Sequence, residues 1–325
     1  DCTGEGDIAI RAGAPSEYVD RETVQPHTIA FTMDGVNWDE LMDWINTHPD
    51  QIVWFEHTLP HWSDERKEEA HQKALKFYST CRKPEEMGEM MGFIDFHKMG
   101  LETGEWHEFS GVGFFITPRE GGHIQAHMQH SSQVPNVLTN DVWDLTKGEA
   151  ECRRQNKIAL KFFRKYIPGF ENAYLTRMCP EMRLREGPRI MGDYKLTRDD
   201  VAVGREFPDV IGKSHFKAGA HHTVDKNTIA QVEKVCPADD GSYDIPYRCL
   251  VPQKVENLLV AGKCVSTDRD AYLRYLHQTM VTGQAAGVAA ALCARDDVSP
   301  RALEGNVSEL QKILKSQGAI LDGTT

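Results

Sequence analysis

One stretch constrains this chain more than any other: Glu256 to Cys293, reading ENLLVAGKCVSTDRDAYLRYLHQTMVTGQAAGVAAALC. Asn257–Ala261 is a short apolar run closed by Gly262, the pattern of a buried central strand that ends in a tight turn. From about Met280 to Cys293 the composition is that of a helix with little bulk on one side. Gly283, Ala286, Gly287 and Ala290 recur at three- and four-residue spacing and share a face. A face without side-chain bulk admits backbone or a flat ligand at close range. Thr279 or Thr282 is the expected N-cap. A helix start carries unpaired N–H groups and partial positive charge, which suit an anionic group. The competing reading is a small-residue helix that only packs tightly on a sheet.

The totals restrict the function classes. A length of 325 residues allows one large or two medium domains. The net charge of −12 argues against nucleic acid as a partner, because phosphate binding needs basic surface. No apolar run approaches the roughly 20 residues of a membrane span. The first residues are acidic and polar, so no signal peptide and a cytoplasmic location are expected. Cysteines stand at 2, 81, 152, 179, 236, 249, 264 and 293, and none is paired as CxxC. An iron–sulfur or structural zinc site is therefore not expected, nor any other metal site. The scatter reads as reduced, buried thiols.

NLLVAGKCVS followed by TGQAAGVAAAL is similar to the C-terminal signature of FAD-dependent oxidoreductases with glutathione-reductase- or fumarate-reductase-like flavin domains. The resemblance implies FAD as cofactor. It puts Gly262 and Lys263 beside the ribityl chain and the amides of Gly283, Gln284 and Ala285 at the pyrimidine edge of the flavin. Asp1–Asp7, DCTGEGD, followed by IAIRAGA, resembles the DATGDGD…AGA segment of the same family, which implies that Thr3 and Gly4 line the cofactor. Gly4 to Ala9 also fits GxGxxA, yet only three residues precede Gly4, too few for the strand that such a fingerprint must follow. No other GxGxxG occurs, and Gly212-Lys213-Ser214 has Phe207 where a P-loop needs its first glycine. The unit that binds adenine and pyrophosphate is thus expected on a second polypeptide, separately made or cut from a common precursor before Asp1.

The expected fold is α/β: a partial, Rossmann-like FAD-binding domain completed by another polypeptide, with an inserted α+β cap. Residues 1–15 and 181–325 belong to the flavin domain and 16–180 to the cap. Within the cap, Trp38–Asn46 reads as an amphipathic helix, and Ser63 caps a helix running to about Cys81. Thr146 with Glu149 reads as a capping box opening a helix to Tyr166. Residues 111–117 and 123–134 look extended. His123, Gln125, His127 and Gln129 would line one strand face, either as a polar substrate wall or metal site or as a solvated surface. His57 and His61 carry no decisive signal.

Residues 182–200, MRLREGPRIMGDYKLTRDD, resemble the family's GvREsRRivGdYvLteeDv. Arg185 and Arg189 are candidates for holding an anionic substrate group, since guanidinium forks grip carboxylates. Alternatively they brace the junction of cap and flavin domain through Glu186 or Asp200. Thr197 with Asp200 is a helix-start box. His221 and His222 lie where the family often has a strand near the catalytic face, and either serves as a proton acceptor or sits hydrogen-bonded in a turn. The YDIPYRCL segment matches the family and places Tyr247 toward the flavin. His277, just before the helix, is the other acid/base candidate. The resulting expectation is an FAD-dependent dehydrogenase that exchanges two electrons with an organic small molecule. The rival is a non-catalytic scaffold or electron-relay subunit that completes a partner's flavin fold.

Overall fold

The computed structural model describes residues 1–52, 63–108, 110–216, 221–222, 231–232, 237 and 241–323. His57, His61 and Cys236 lie outside them. In chain order the elements are α1 (Asp7–Arg11), β1 (Ser16–Glu17), β2 (Phe31–Asp34), α2 (Trp38–Thr47), α3 (Asp64–Thr80), α4 (Pro84–Met87), β3 (Glu89–Gly92) and α5 (Ile94–Thr103). Then come β4 (Val112–Pro118), β5 (Ile124–Met128), α6 (Val142–Tyr166), β6 (Tyr174–Met178), β7 (Arg189–Ile190), α7 (Arg198–Ala202) and β8 (Val210–Ser214). The chain finishes with β9 (His221–His222), β10 (Gln231–Val232), β11 (Tyr243–Pro246), α8 (Leu276–Asp296), α9 (Pro300–Leu303) and α10 (Ser308–Ser316).

One core is built from residues 31–173. Its centre is an antiparallel sheet in the order β3-β4-β5-β2-β6. Apolar side chains fill the inner layer: Phe114 lies 5.2 Å from Phe170 and Phe163 lies 5.0 Å from Phe170, ring centre to ring centre. Such tilted aromatic contacts add to plain area burial. Helix α6 lies across them with Ala159, Phe162 and Phe163 buried. It begins four residues before the expected Thr146. Asp141 caps it by accepting from the N–H groups of Trp143 and Asp144, while the Thr146 hydroxyl turns inward to the carbonyl of Val142. The Thr146–Glu149 box is thereby corrected: an acidic residue further upstream satisfies the orphan amides first. The Ser63 cap forms as expected, accepting from Arg66 N at 3.3 Å.

The second core gathers Ala9 and Ala14 with residues 190–321. The Rossmann-like parallel sheet does not form among the described residues; named strands pair antiparallel, and the one parallel contact is the bridge Leu196–Thr267. Residues 259–261 are buried as expected for a central strand, but they make no ladder. Val260 N donates to Leu250 O and Ala261 N to Asp1 O, at 2.9 Å each. Leu259 O also accepts from the Asp1 amino group at 2.7 Å; a strand needs a longer continuous row of partners on at least one side. After Ser299 come two helices, α9 and α10, joined by a short 3-10 turn.

Candidate functional site

The two ends of the chain meet at a glycine-rich corner. The Asp1 carboxylate accepts from Thr3 N at 2.9 Å, the Thr3 hydroxyl at 2.7 Å and Ala9 N at 2.8 Å. Thr3 Oγ1 accepts from Asp7 N at 3.0 Å. The turn needs left-handed backbone at Gly4 (φ +82°) and Gly6 (φ +68°), and a methyl on Gly6 would stand 2.7 Å from the Ile190 side chain. Lys263 closes over Gly4, and its ammonium pairs with the Glu5 carboxylate, which also accepts from the Thr139 hydroxyl of the cap. Gly262, at φ +91°, donates from its N–H to Thr282 Oγ1 at 3.1 Å. Thr3, Gly4, Gly262, Lys263 and the first turns of α8 are therefore brought together.

Helix α8 starts at Leu276, four residues before the expected start. Gln278 secures the start: its Oε1 accepts from Tyr275 N at 3.2 Å, and its Nε2 donates to Ser214 Oγ at 3.1 Å and Tyr243 OH at 3.0 Å. Thr279 and Thr282 are consequently inside the helix and cap nothing. Gly283, Gln284 and Ala285 lie in the second and third turns, where backbone N–H groups are taken by the helix itself. That corrects the assignment of their amides to a helix start. What remains on this helix is an uncovered face. A methyl on Gly283 or Gly287 would meet nothing within 4 Å, and Leu276 (80% exposed) and Met280 (72%) stand on the same side.

His277 is exposed beside Tyr275, His215 and Phe216, whose ring lies 5.4 Å away. Partial desolvation, with His215 adding a little, lowers its pKa from the usual value. The imidazole is thus neutral near pH 7 and able to take a proton. The backbones of His221 and His222 pair with Val232 and Gln231; their side chains lie outside the described residues. Tyr247 does not face the corner. It is fully buried, and its hydroxyl donates to Pro300 O at 3.0 Å.

The two candidate arginines separate cleanly. Arg189 is compensated: its Nη1 donates to Glu186 Oε1 at 3.1 Å, and Glu17 lies 3.6 Å away. Glu186, fully buried, also accepts from Gln25 N at 2.9 Å and sits 3.3 Å from Arg269. This network ties 17–25 to 186–189 and 269, so Arg189 is a brace. Arg185 is buried too, but its Nη1 donates only to the carbonyl of Pro26. Burial, with Arg274 and Arg183 nearby, pushes its guanidinium down to about 9. His27 lies against it as a fixed neutral imidazole. Its Nδ1 accepts from Arg185 N at 3.1 Å, so its Nε2 carries the proton that points at Val137 O, 3.1 Å away. Burial and then the Arg185 charge hold His27 at about 3, and the same two causes hold His130 at about 3.

On the strand face of β5, Asp34 takes His123 Nε2 at 2.7 Å and Gln125 Nε2 at 2.9 Å. No group of three or more His, Cys, Asp or Glu among the described residues is placed to hold a metal ion. Cys81, Cys152, Cys249, Cys264 and Cys293 are buried, Cys179 is half-buried and Cys2 is exposed; all are free thiols. No helix among the described residues is long and apolar enough to cross a membrane.

The residues present leave room for a flat nucleotide cofactor: a glycine corner with open space at Gly262, and a helix face bare at Gly283 and Gly287. A family model described as FAD dependent oxidoreductase matches residues 1–314. The chain belongs to that family, and the family binds FAD. No curated protein and no solved structure matched the chain.

Proposed function

We propose that this chain is the substrate-handling part of an FAD-dependent dehydrogenase that exchanges two electrons, as a hydride, with an organic small molecule. A second polypeptide, carrying the dinucleotide-binding unit, completes the flavin site. The observation that carries this reading is the bare outward face of α8 at Gly283 and Gly287, on the helix that Gly262 meets through Thr282. Gly283 and Gly287 offer open space where packing against the chain itself would have filled it, and a flavin or a closely packed βαβ unit approaches backbone in that way. FAD, when bound, supplies the two-electron acceptor. The chain's own residues orient and protonate. Gly4, Gly262 and the α8 start line the cofactor, and His277 takes or returns a proton on the substrate side, with His221 and His222 as further candidates.

Native mass spectrometry of the protein as isolated, followed by denaturation in the same run, tests this. The expected result is release of a mass fitting FAD together with a second chain whose sequence carries GxGxxG. A single chain that releases no flavin would overturn it.

A further inference from the structure

Two arginines four residues apart face opposite charge environments, and the uncompensated one marks a binding site. Arg185 is only 6% exposed. Its one side-chain hydrogen bond leaves from Nη1 to a neutral carbonyl. The edge formed by Nε and Nη2, two parallel N–H donors, has no partner among the described residues. That edge has the spacing of a carboxylate's two oxygens. The surrounding charges make matters worse for the free protein, because the cations acting on Arg185 are Arg274 and Arg183. Neither of them, nor Arg185, forms an ion pair with a carboxylate among the described residues, whereas Arg189, Arg248, Arg269 and Arg301 all do. Arg274 lies over the Tyr275 ring at 4.7 Å, so its position is fixed by stacking without being neutralised. Arg183 is exposed. His27 and His130 are both neutral and add no further charge. A buried cation is tolerated when paired, and a buried guanidinium whose Nε–Nη2 edge meets no acid among the described residues describes a site that is complete only with an anion in it.

We propose that Arg185, with Arg183 and Arg274 at its rim, binds the carboxylate of an organic-acid substrate. A single flat guanidinium edge at the buried end, with the other two cations nearer the surface, suits a planar two-oxygen group attached to a carbon skeleton. A tetrahedral phosphate would call for donors on more than one side. The substrate role rests on the oxidoreductase reading above; the anion site itself does not.

The test uses the protein as isolated, titrated with acetate, malonate and inorganic phosphate at constant ionic strength, with the thermal unfolding midpoint as readout. Flavin released on denaturing the same sample is measured separately. Malonate is expected to raise the midpoint saturably and to bind more tightly than phosphate. Arg183→Gln, at an exposed position, keeps the fold and weakens malonate binding by about tenfold, the order of a lost charge-assisted hydrogen bond. Arg185→Met removes an unpaired buried charge, so it is expected to raise the midpoint without ligand and to abolish the malonate response. A lowered midpoint in Arg185→Met with the malonate response retained would make Arg185 a structural residue and overturn the proposal. Tighter phosphate than malonate binding overturns the carboxylate assignment. Flavin present without any malonate response removes the subsite and leaves the oxidoreductase reading standing. A malonate response without flavin supports the subsite and removes that reading.

Discussion

Helices α6 and α8 are of similar length and differ in what they meet. Helix α6 turns Cys152, Gln155, Asn156, Ala159, Phe162 and Phe163 inward, and each finds its counterpart within the chain: Gln155 Oε1 accepts from Gln133 N, Asn156 donates to Ile29 O, and the phenylalanines join the aromatic layer. Helix α8 buries Ala285, Ala286, Ala289 and Leu292 on one side and leaves Leu276, Met280, Gly283 and Gly287 facing outward. A bulky inward face means stability drawn from the chain's own packing. A bare outward face of Gly and apolar residues contributes little to that packing and leaves backbone accessible. The first helix holds its core together; the second, on the reading proposed above, lies against the cofactor or the partner chain.

Three measurements would break or sharpen that contrast. The largest effect is expected under α6. Phe163 is fully buried among Phe114 and Phe170, so Phe163→Ala should cost about 3–5 kcal/mol in denaturant unfolding. A loss below about 1 kcal/mol would mean the cap is not self-sustaining.

The next effect is in the acid response of the same region. His27 sits beside α6, with the Cys152 thiol donating to its carbonyl oxygen. Its folded pKa of about 3 is below the ordinary value of 6.5, so the unfolded chain binds more protons between those two pH values. Stability is present above about pH 6.5, is lost as pH falls through the window, and the loss levels off near pH 3. At pH 5 the cost is about 2 kcal/mol for this one residue. His107, held at about 4 by burial, adds in the same direction. Unfolding free energies of wild type and His27→Gln compared between pH 7 and 5 should show a shallower slope in the variant. Equal slopes would mean His27 is protonated or exposed in the fold.

The smallest effect, and the one of opposite sign, is expected on α8. Gly283→Ala meets open space and replaces a poor helix former, so it should stabilise the chain by up to about 1 kcal/mol. The same methyl occupies the bare face, so recovered FAD should fall. A variant that is more stable and keeps its full flavin content would show that nothing approaches at that position.

Parts of this were legible in the sequence for local reasons. Ser63 and Thr197 cap helices through bonds to residues three positions on, and such spacing is visible in a string of letters. The separation of Arg185 from Arg189 was legible only in part: Glu186, three residues from Arg189, stands in the string, but Glu17 meets Arg189 across a long chain separation. Arg183 and Arg274 carry no signal of their own: each reads as an ordinary surface arginine until the fold brings its charge to bear on Arg185. The start of α8 is not visible in the string, because the bulk-free run at Gly283 marks the interior of the helix, while Gln278, the residue that fastens its first turn, has partners at 214 and 243. The amide role given to Gly283, Gln284 and Ala285 fell with that boundary.

The corner at Asp1–Gly6 has a consequence for synthesis. Glu5 and Lys263 are 258 residues apart and must meet for the corner to close. The aromatic core between them uses only residues 31–173 and can finish while the rest of the chain is still being made. At roughly 5–20 residues added per second, Glu5 waits about 10–50 seconds for Lys263 to be made. This segment is made long before Lys263 and is among the last to be seated, and through that interval Ala9, fully buried once the corner closes, is open to water.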